Sequence, residues 1–305
     1  MHDIPVPCEA LGPPVLVAAN GALRRVGVEI EFLGLSARIA AEAVVRHLGG
    51  DLEAEDPHAF RIRSTRLGSM SIETDLRYVH PRRYPSLGLR LGDRAADWLG
   101  AMVSSFVPRE LITDPISIAR LPEVDEIVAI LRAAGARGCG AVLLDSLGLH
   151  FNIDPPRLDA ETITAYLKAF LLLGEGFRRD IARGDSRLAL VLPPDYPRTY
   201  IRHVLAPDYW PDLATLSDDY LAANPTRKRA LDLLPLLAHL DEERVRSVLP
   251  REKIGPRPVF HYRLPQAHLS DPNWSIMPDW ARWLTVERLA SDPDRLSAMG
   301  RAALS

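Results

Sequence analysis

Arg25-Val26-Gly27-Val28-Glu29-Ile30-Glu31-Phe32 alternates without a break. Val26, Val28, Ile30 and Phe32 fall on one side, and Gly27, Glu29 and Glu31 on the other, the period of a β-strand with two unlike faces. The apolar face belongs against a core. The other carries two carboxylates two residues apart, which therefore point the same way. Like charges this close repel and raise each other's pKa. A solvated edge strand relieves that repulsion cheaply. A divalent cation relieves it better, and oxygen-rich sites suit Mg²⁺ or Mn²⁺. Glu-x-Glu is common in any chain, so its weight here depends on the neighbouring segments.

After the strand, Ser36 reads as an N-cap, and Ile39, Ala40, Ala43, Val44, His47 and Leu48 recur at helical spacing until Gly49-Gly50 stops the helix. Phe60 to Ser64 and Ser69 to Asp75 alternate around Gly68 and predict a hairpin. Its second strand places Ser71, Glu73 and Asp75 on one face, with Arg77 continuing it. An exposed face of charge pairs explains this segment equally well. Leu89 to Phe106 has the spacing of a helix. Pro108 to Ile116 puts Glu110 and Ile112 on one strand face and ends at Pro115. A helix follows from Leu121, with Val124, Ile127, Val128 and Leu131 inward and Gly135 as its stop.

Gly148 to Asp154 alternates again, with Gly148, His150, Asn152 and Asp154 opposite Leu149, Phe151 and Ile153. A His and an Asn on a polar strand face can hold a metal or a phosphate oxygen. Asp159 caps an amphipathic helix with Ile163, Tyr166, Leu167, Phe170 and Leu171 as its buried stripe. Arg183 to Trp210, rich in Pro, Tyr, Arg and Asp, reads as a long loop or a lid, with Tyr200, Arg202 and His203 as candidates. Arg227 to Leu240 and Asp241 to Leu249 read as helices. Val259 to Leu264 is the last clear strand, with His261 and Arg263 on one face. A guanidinium beside carboxylates suits phosphate oxygens, and pairing with one of those acids is the plainer alternative. Trp274 to Leu289 reads as a closing helix over the sheet.

Composition limits the functions. The 305 residues suffice for a sizeable core, and the apolar content of 47% and charged content of 25% are ordinary globular values. A formal net charge of −3 gives no basic field, which argues against a general nucleic-acid binder, although Arg227-Lys228-Arg229 is locally basic. Two cysteines, Cys8 and Cys139, make no disulfide framework. Gly-Cys-Gly at 138–140 lacks a paired base, so Cys139 reads as a buried small residue rather than a nucleophile. No stretch is apolar for long enough to span a bilayer, and Pro13 to Ala19 lacks the basic start of a signal peptide. The expectation is a soluble cytoplasmic protein without nucleic-acid or membrane partners.

Taken in order, these segments resemble the amidoligase family, carboxylate–amine ligases built on the catalytic fold of glutamine synthetase and glutamate–cysteine ligase. Gly27 to Phe32 is similar to that fold's opening strand, Ser71 to Arg77 to its second acidic strand, and Glu110-Leu111-Ile112-Thr113-Asp114-Pro115 to its Glu-Leu-Val-Ser-Pro-Pro-like segment. Gly148 to Asp154 resembles its Gly-x-His strand. Phe260 to Arg263 sits where relatives usually carry Glu-Phe-Arg, and the chain departs from them in having His261 in place of that Glu. The resemblance runs from about Gly27 to Arg263.

It implies an α+β fold, with a curved, mainly antiparallel sheet, helices on its outer face, a lead-in over 1–22 and one catalytic domain over 23–305. The cofactors it implies are ATP and Mg²⁺ or Mn²⁺. Metal ligands would be Glu29, Glu31, Glu73, Glu110, His150 and His261, with Glu29 and His150 at one ion and Glu31 and Glu110, joined by Glu73 or Asp75, at another. Arg77, Asn152 and Arg263 would contact the nucleotide, Arg263 would steady the transferred phosphoryl group, and Asp75 would take a proton from the amine. The implied reaction makes an amide through an acyl phosphate from a small-molecule or peptide carboxylate and an amine or ammonia, with a glutamine amidotransferase as a possible supplier. Two alternatives stand beside it. One is a nucleotide- or metal-binding module without turnover, and the other is a metal-dependent hydrolase.

Overall fold

A computed structural model describes residues 12–76, 80, 107–138, 147–182 and 192–305. Its central element is strand β1 (Arg25–Phe32), whose Val26, Val28, Ile30 and Phe32 are all fully buried. Four such side chains withdrawn from water contribute about 1.5–3 kcal/mol each, which selects this face and no other for the core.

The sheet of the described residues has nine strands. The strands after β1 are β2 (Asp51–Asp56), β3 (Ala59–Thr65), β4 (Gly68–Thr74), β5 (Arg109–Thr113), β6 (Ile116–Ser117), β7 (Leu149–Ile153), β8 (Leu231–Asp232) and β9 (Phe260–Tyr262). Their order is β2-β3-β4-β5-β1-β7-β9-β8, an open sheet in which every pair is antiparallel. β6 continues the β5 side of β1 at Arg25 and Val26. Asp114-Pro115 separates the two, and the Thr113 hydroxyl there accepts the Val28 N–H at 2.9 Å, so the break leaves that donor satisfied.

Nine α-helices are found among the described residues. They are α1 (Ala37–Leu48), α2 (Val124–Ala133), α3 (Ala160–Ala182), α4 (Arg198–Leu205), α5 (Leu213–Ala223), α6 (Leu234–Leu240), α7 (Glu242–Val248), α8 (Met277–Ala290) and α9 (Pro293–Leu304). α1 lies over β3 and β4, capped as expected by Ser36, whose hydroxyl accepts the Ile39 N–H at 3.2 Å. Gly50 follows it at φ 97°, and a Cβ there would come within 2.4 Å of the Arg63 carbonyl, so only glycine lets α1 turn back into β2. α3 and α8 cover β7 and β9 through aromatic contacts. Tyr166 stacks on Phe260 with ring centres 4.7 Å apart, and Trp283 packs on Tyr262 at 5.4 Å.

The entry to β1 is fastened to α8 by a buried ion pair. Arg24 donates from Nη1 and Nη2 to both oxygens of Glu287, at 2.9 and 2.6 Å, and from Nε to the Asp154 carbonyl. Trp283 Nε1 also donates to Glu287, and neither charged side chain is exposed.

The α+β expectation holds as a mixed helix and antiparallel sheet structure. Several local expectations do not. β2 was not anticipated, because its alternating residues are acidic and almost all exposed. Ile39 and His47 face outward on α1, whose inward stripe is alanine-rich. The helix expected over Arg227 to Leu240 is interrupted: Leu231 and Asp232 pair with β9, and the helix begins only at Leu234, with Pro235 in the first turn where its missing N–H costs nothing. The proposed loop Arg183 to Trp210 contains α4. There Tyr200 is buried beside Tyr196, and His203 meets Asp219 on the surface, so neither is a cleft residue. α9 was not foreseen. The expected helix Leu89 to Phe106, Arg77, and both cysteines lie outside the described residues.

Candidate active site

Register assembles the polar face. Glu73 stands opposite Glu110, and Glu110 opposite Glu31, a row of three carboxylates across β4, β5 and β1. One step along β1, Glu29 stands opposite His150. The next row sets Asn152 opposite His261, and His261 opposite Asp232. Direct antiparallel partners share a face, so the alternation of each strand carries all these side chains to one side.

They floor a cleft of about 990 Å³, the upper end of the size range of small-molecule sites. Glu29, Glu31, Glu73, Glu110 and His150 line it from the central strands, Asp75 from just past β4, His261 from β9 and Arg263 from the residue after β9. A basic wall is made by the loop between α7 and β9, with Lys253 and Arg257, together with Arg227 and Arg246. Arg246 also shapes that wall by donating to the Glu252 and Ile254 carbonyls. The sequence reading missed Lys253, Arg246 and Arg257. The available signal was a Gly-Pro-containing charged loop, 251–257, that feeds directly into the His261 strand. The Arg227-Lys228-Arg229 cluster divides: Arg227 reaches the cleft, Lys228 is exposed, and Arg229 is buried against Asn224 and Tyr196.

Glu29 accepts three side-chain hydrogen bonds. It accepts from His150 Nδ1 at 3.0 Å, from Asn152 Nδ2 at 2.7 Å and from Arg257 Nη1 at 3.3 Å. Burial pushes its carboxyl up, but the His150 hydrogen bond and the surrounding positive charge, Arg257 included, hold it well below the usual carboxylate range. Glu110 behaves oppositely. Burial, followed by repulsion from Glu29, Glu31 and Asp75, raises it well above the normal range. Burial also raises Glu73, against the attraction of His80 and Lys253. Burial lowers His261 well below the ordinary imidazole value, so its ring is neutral near pH 7.

Glu31 Oε2 accepts the Gly148 N–H at 2.7 Å, which ties the carboxylate to the start of β7. A Cβ at Gly148 would fall on the His150 ring, so a larger residue there would have to displace the imidazole. Asn152, expected as a nucleotide contact, is buried between Glu29 and His261 and bonded to both. Asp75 is exposed at the end of β4, at the cleft's edge. Arg263 donates to the Arg227 carbonyl, which joins the β9 side of the floor to the basic wall.

Two groups of side chains can each offer a cation three ligand atoms within 4.8 Å of one another: Glu29 with His150 and His261, and Glu31 with Glu110 and His150. The donor chemistry fits a divalent metal, because a floor of crowded carboxylates demands a counter-charge.

A family model described as "putative amidoligase enzyme" matches residues 22–285. The chain belongs to this amidoligase family. The match takes in every described strand and each cleft residue named above, and it ends within α8. No curated protein and no solved structure matches the chain. Among the described residues, no helix is long and apolar enough to cross a membrane.

Proposed function

We propose that the chain is an ATP-dependent carboxylate–amine ligase with a glutamine synthetase-like catalytic fold, working through an acyl phosphate. The observation that carries this reading is the polarity of the cleft. A floor of Glu29, Glu31, Glu73 and Glu110 shares the cleft with the basic side chains Arg227, Lys253, Arg257 and Arg263. A floor that attracts cations and a wall that attracts anions suit a polyphosphate that arrives with divalent metals.

The chemistry asks a carboxylate to approach a polyanion. The oxygen of the acid attacks the γ-phosphorus, ADP leaves, and the amine nitrogen then displaces phosphate from the acyl carbon. Divalent metal, Mg²⁺ or Mn²⁺, would supply charge neutralisation, held by Glu29, His150 and His261, with Glu31 and Glu110 at a neighbouring ion. Arg263 and Arg257 would orient the phosphoryl oxygens through planar, paired donors. Asp75, at the rim, would accept the amine proton. The buried Glu29–Asn152–His261 chain keeps the floor rigid before substrate arrives. The acid and the amine fall within small molecules and peptides, with ammonia or a partner amidotransferase as nitrogen source. The reading places the protein in the cytoplasm, where ATP is available.

The test is ADP release over a panel of acids and amines with Mg²⁺ or Mn²⁺, in wild type and Arg263→Ala. Release that needs both acid and amine, and that falls by at least about a hundredfold in Arg263→Ala, supports the ligase. Hydrolysis of an amide or ester without ATP, and no ADP from any pair, would replace it with a metal-dependent hydrolase.

A further inference from the structure

The floor of the cleft contains a relay that decides the chemical character of one cation site. Glu29 can only accept hydrogen bonds as a carboxylate, so the Asn152 group 2.7 Å away must be its NH₂. The amide oxygen of Asn152 therefore faces the other way, 3.0 Å from His261 Nδ1. An oxygen there requires that Nδ1 carry the proton. The lone pair of the neutral ring is left on Nε2, and no hydrogen bond occupies that atom among the described residues. His261 is only 2% exposed yet lines the cleft, and its ring stands edge-on to His150 with centres 5.3 Å apart.

We propose that Glu29, His150 and His261 form a two-imidazole, one-carboxylate centre that takes a borderline transition cation such as Mn²⁺, Co²⁺ or Zn²⁺ in preference to Mg²⁺, with Asn152 as the residue that sets the His261 tautomer. The proposal rests on the reading that this cleft holds metal, and it narrows which metal. Imidazole nitrogen favours the later divalent ions, whereas Mg²⁺ demands oxygen ligands and retains water. A ligand histidine whose other nitrogen donates to an oxygen is the usual means of fixing ring orientation, and here the oxygen belongs to an amide anchored by the metal's own carboxylate. The second group shares His150 with the first, and the one free lone pair of that ring serves one ion; Glu31 and Glu110 then offer oxygen alone and are the natural place for Mg²⁺.

The experiment uses the full chain, stripped with chelator and titrated with Mg²⁺, Mn²⁺, Co²⁺ and Zn²⁺ by calorimetry, without nucleotide. Wild type is expected to bind Mn²⁺ and Co²⁺ at least about a hundredfold more tightly than Mg²⁺ at this site. His261→Glu should cut that ratio at least about tenfold, and Asn152→Ala should weaken Co²⁺ about 10–100-fold, with both variants checked for native circular dichroism. Should either variant fail to fold, pulsed EPR of Mn²⁺-loaded wild type decides: two imidazole nitrogens are expected, and one or none overturns the proposal. Equal affinity for Mg²⁺ and Mn²⁺, or an unchanged ratio in folded His261→Glu, also overturns it. ADP release with Mg²⁺ in that case would leave the ligase reading standing. A two-imidazole site with no ADP release would sustain this inference and remove the ligase.

Discussion

Glu31 and Glu110 stand directly opposite each other on neighbouring antiparallel strands. Glu73 flanks Glu110 on its other side, so the middle carboxylate has an acid on both hands. Each directly opposed like pair costs roughly 0.2–1 kcal/mol. Glu110→Gln keeps the shape and removes the central charge. In metal-free protein at alkaline pH, urea unfolding should show the variant to be the more stable. With saturating Mn²⁺ the order should reverse, because the variant has lost a ligand. A variant less stable in both conditions would show that the row is not crowded by charge.

Gly148 and His150 make a second, sharper test. An alanine methyl at 148 would fall where the His150 ring lies, while the backbone bond from the Gly148 N–H to Glu31 would survive. Overpacking of this kind costs about 1–3 kcal/mol. Gly148→Ala is expected to stay folded and to lose most of the Mn²⁺-dependent rise in melting temperature seen in wild type. An unaltered metal response would place His150 outside the cation site.

The Arg24–Glu287 pair should respond asymmetrically. Glu287→Gln leaves an unpaired buried guanidinium and should cost about 3–5 kcal/mol in denaturant unfolding. The double variant Arg24→Met, Glu287→Met should recover much of that loss, because the desolvation of both charges disappears together. Recovery of nothing would mean that the hydrogen bonds from Arg24 to the Val15 and Asp154 carbonyls, rather than the ion pair to α8, fix the entry to β1.

Asp279, in the first turn of α8, gives a pH signature away from the cleft. Burial raises its pKa to about 6, against the pull of Arg282. The folded protein therefore binds more protons than the unfolded chain between about pH 4 and 6, and its stability falls as pH rises through that window. Once ionised, the group opposes folding by an amount on the order of 3 kcal/mol. Asp279→Asn should flatten this part of the stability profile and leave the profile below pH 4 unchanged. A parallel offset at all pH values would indicate lost packing instead.

Much of the sheet was readable because β1, β4 and β7 alternate so strictly that each face is set by periodicity. That explains why Glu29, Glu31, Glu73 and His150 could be assigned to a common kind of surface. Periodicity says nothing about register, and it is register that sets Glu110 between Glu31 and Glu73 and puts Asn152 between Glu29 and His261. The basic wall was harder still. Lys253 and Arg257 sit in a loop without repeat, and their position depends on Arg246 pinning that loop from α7. β8 was hidden for a different reason: Leu231-Asp232-Leu233-Leu234 reads as helix until β9 lies beside it and takes up its backbone bonds.

The strand order carries a consequence for how the protein reaches its working form. Glu29 meets His150 across 121 residues of chain and Arg257 across 228. No N-terminal half emerging from a ribosome possesses the cleft, and no local hairpin can preview it. Closure of such distant pairings is slow relative to local helix formation. Cation affinity at Glu29 should therefore appear only with the last strands, which makes metal uptake a clock for the final step of refolding.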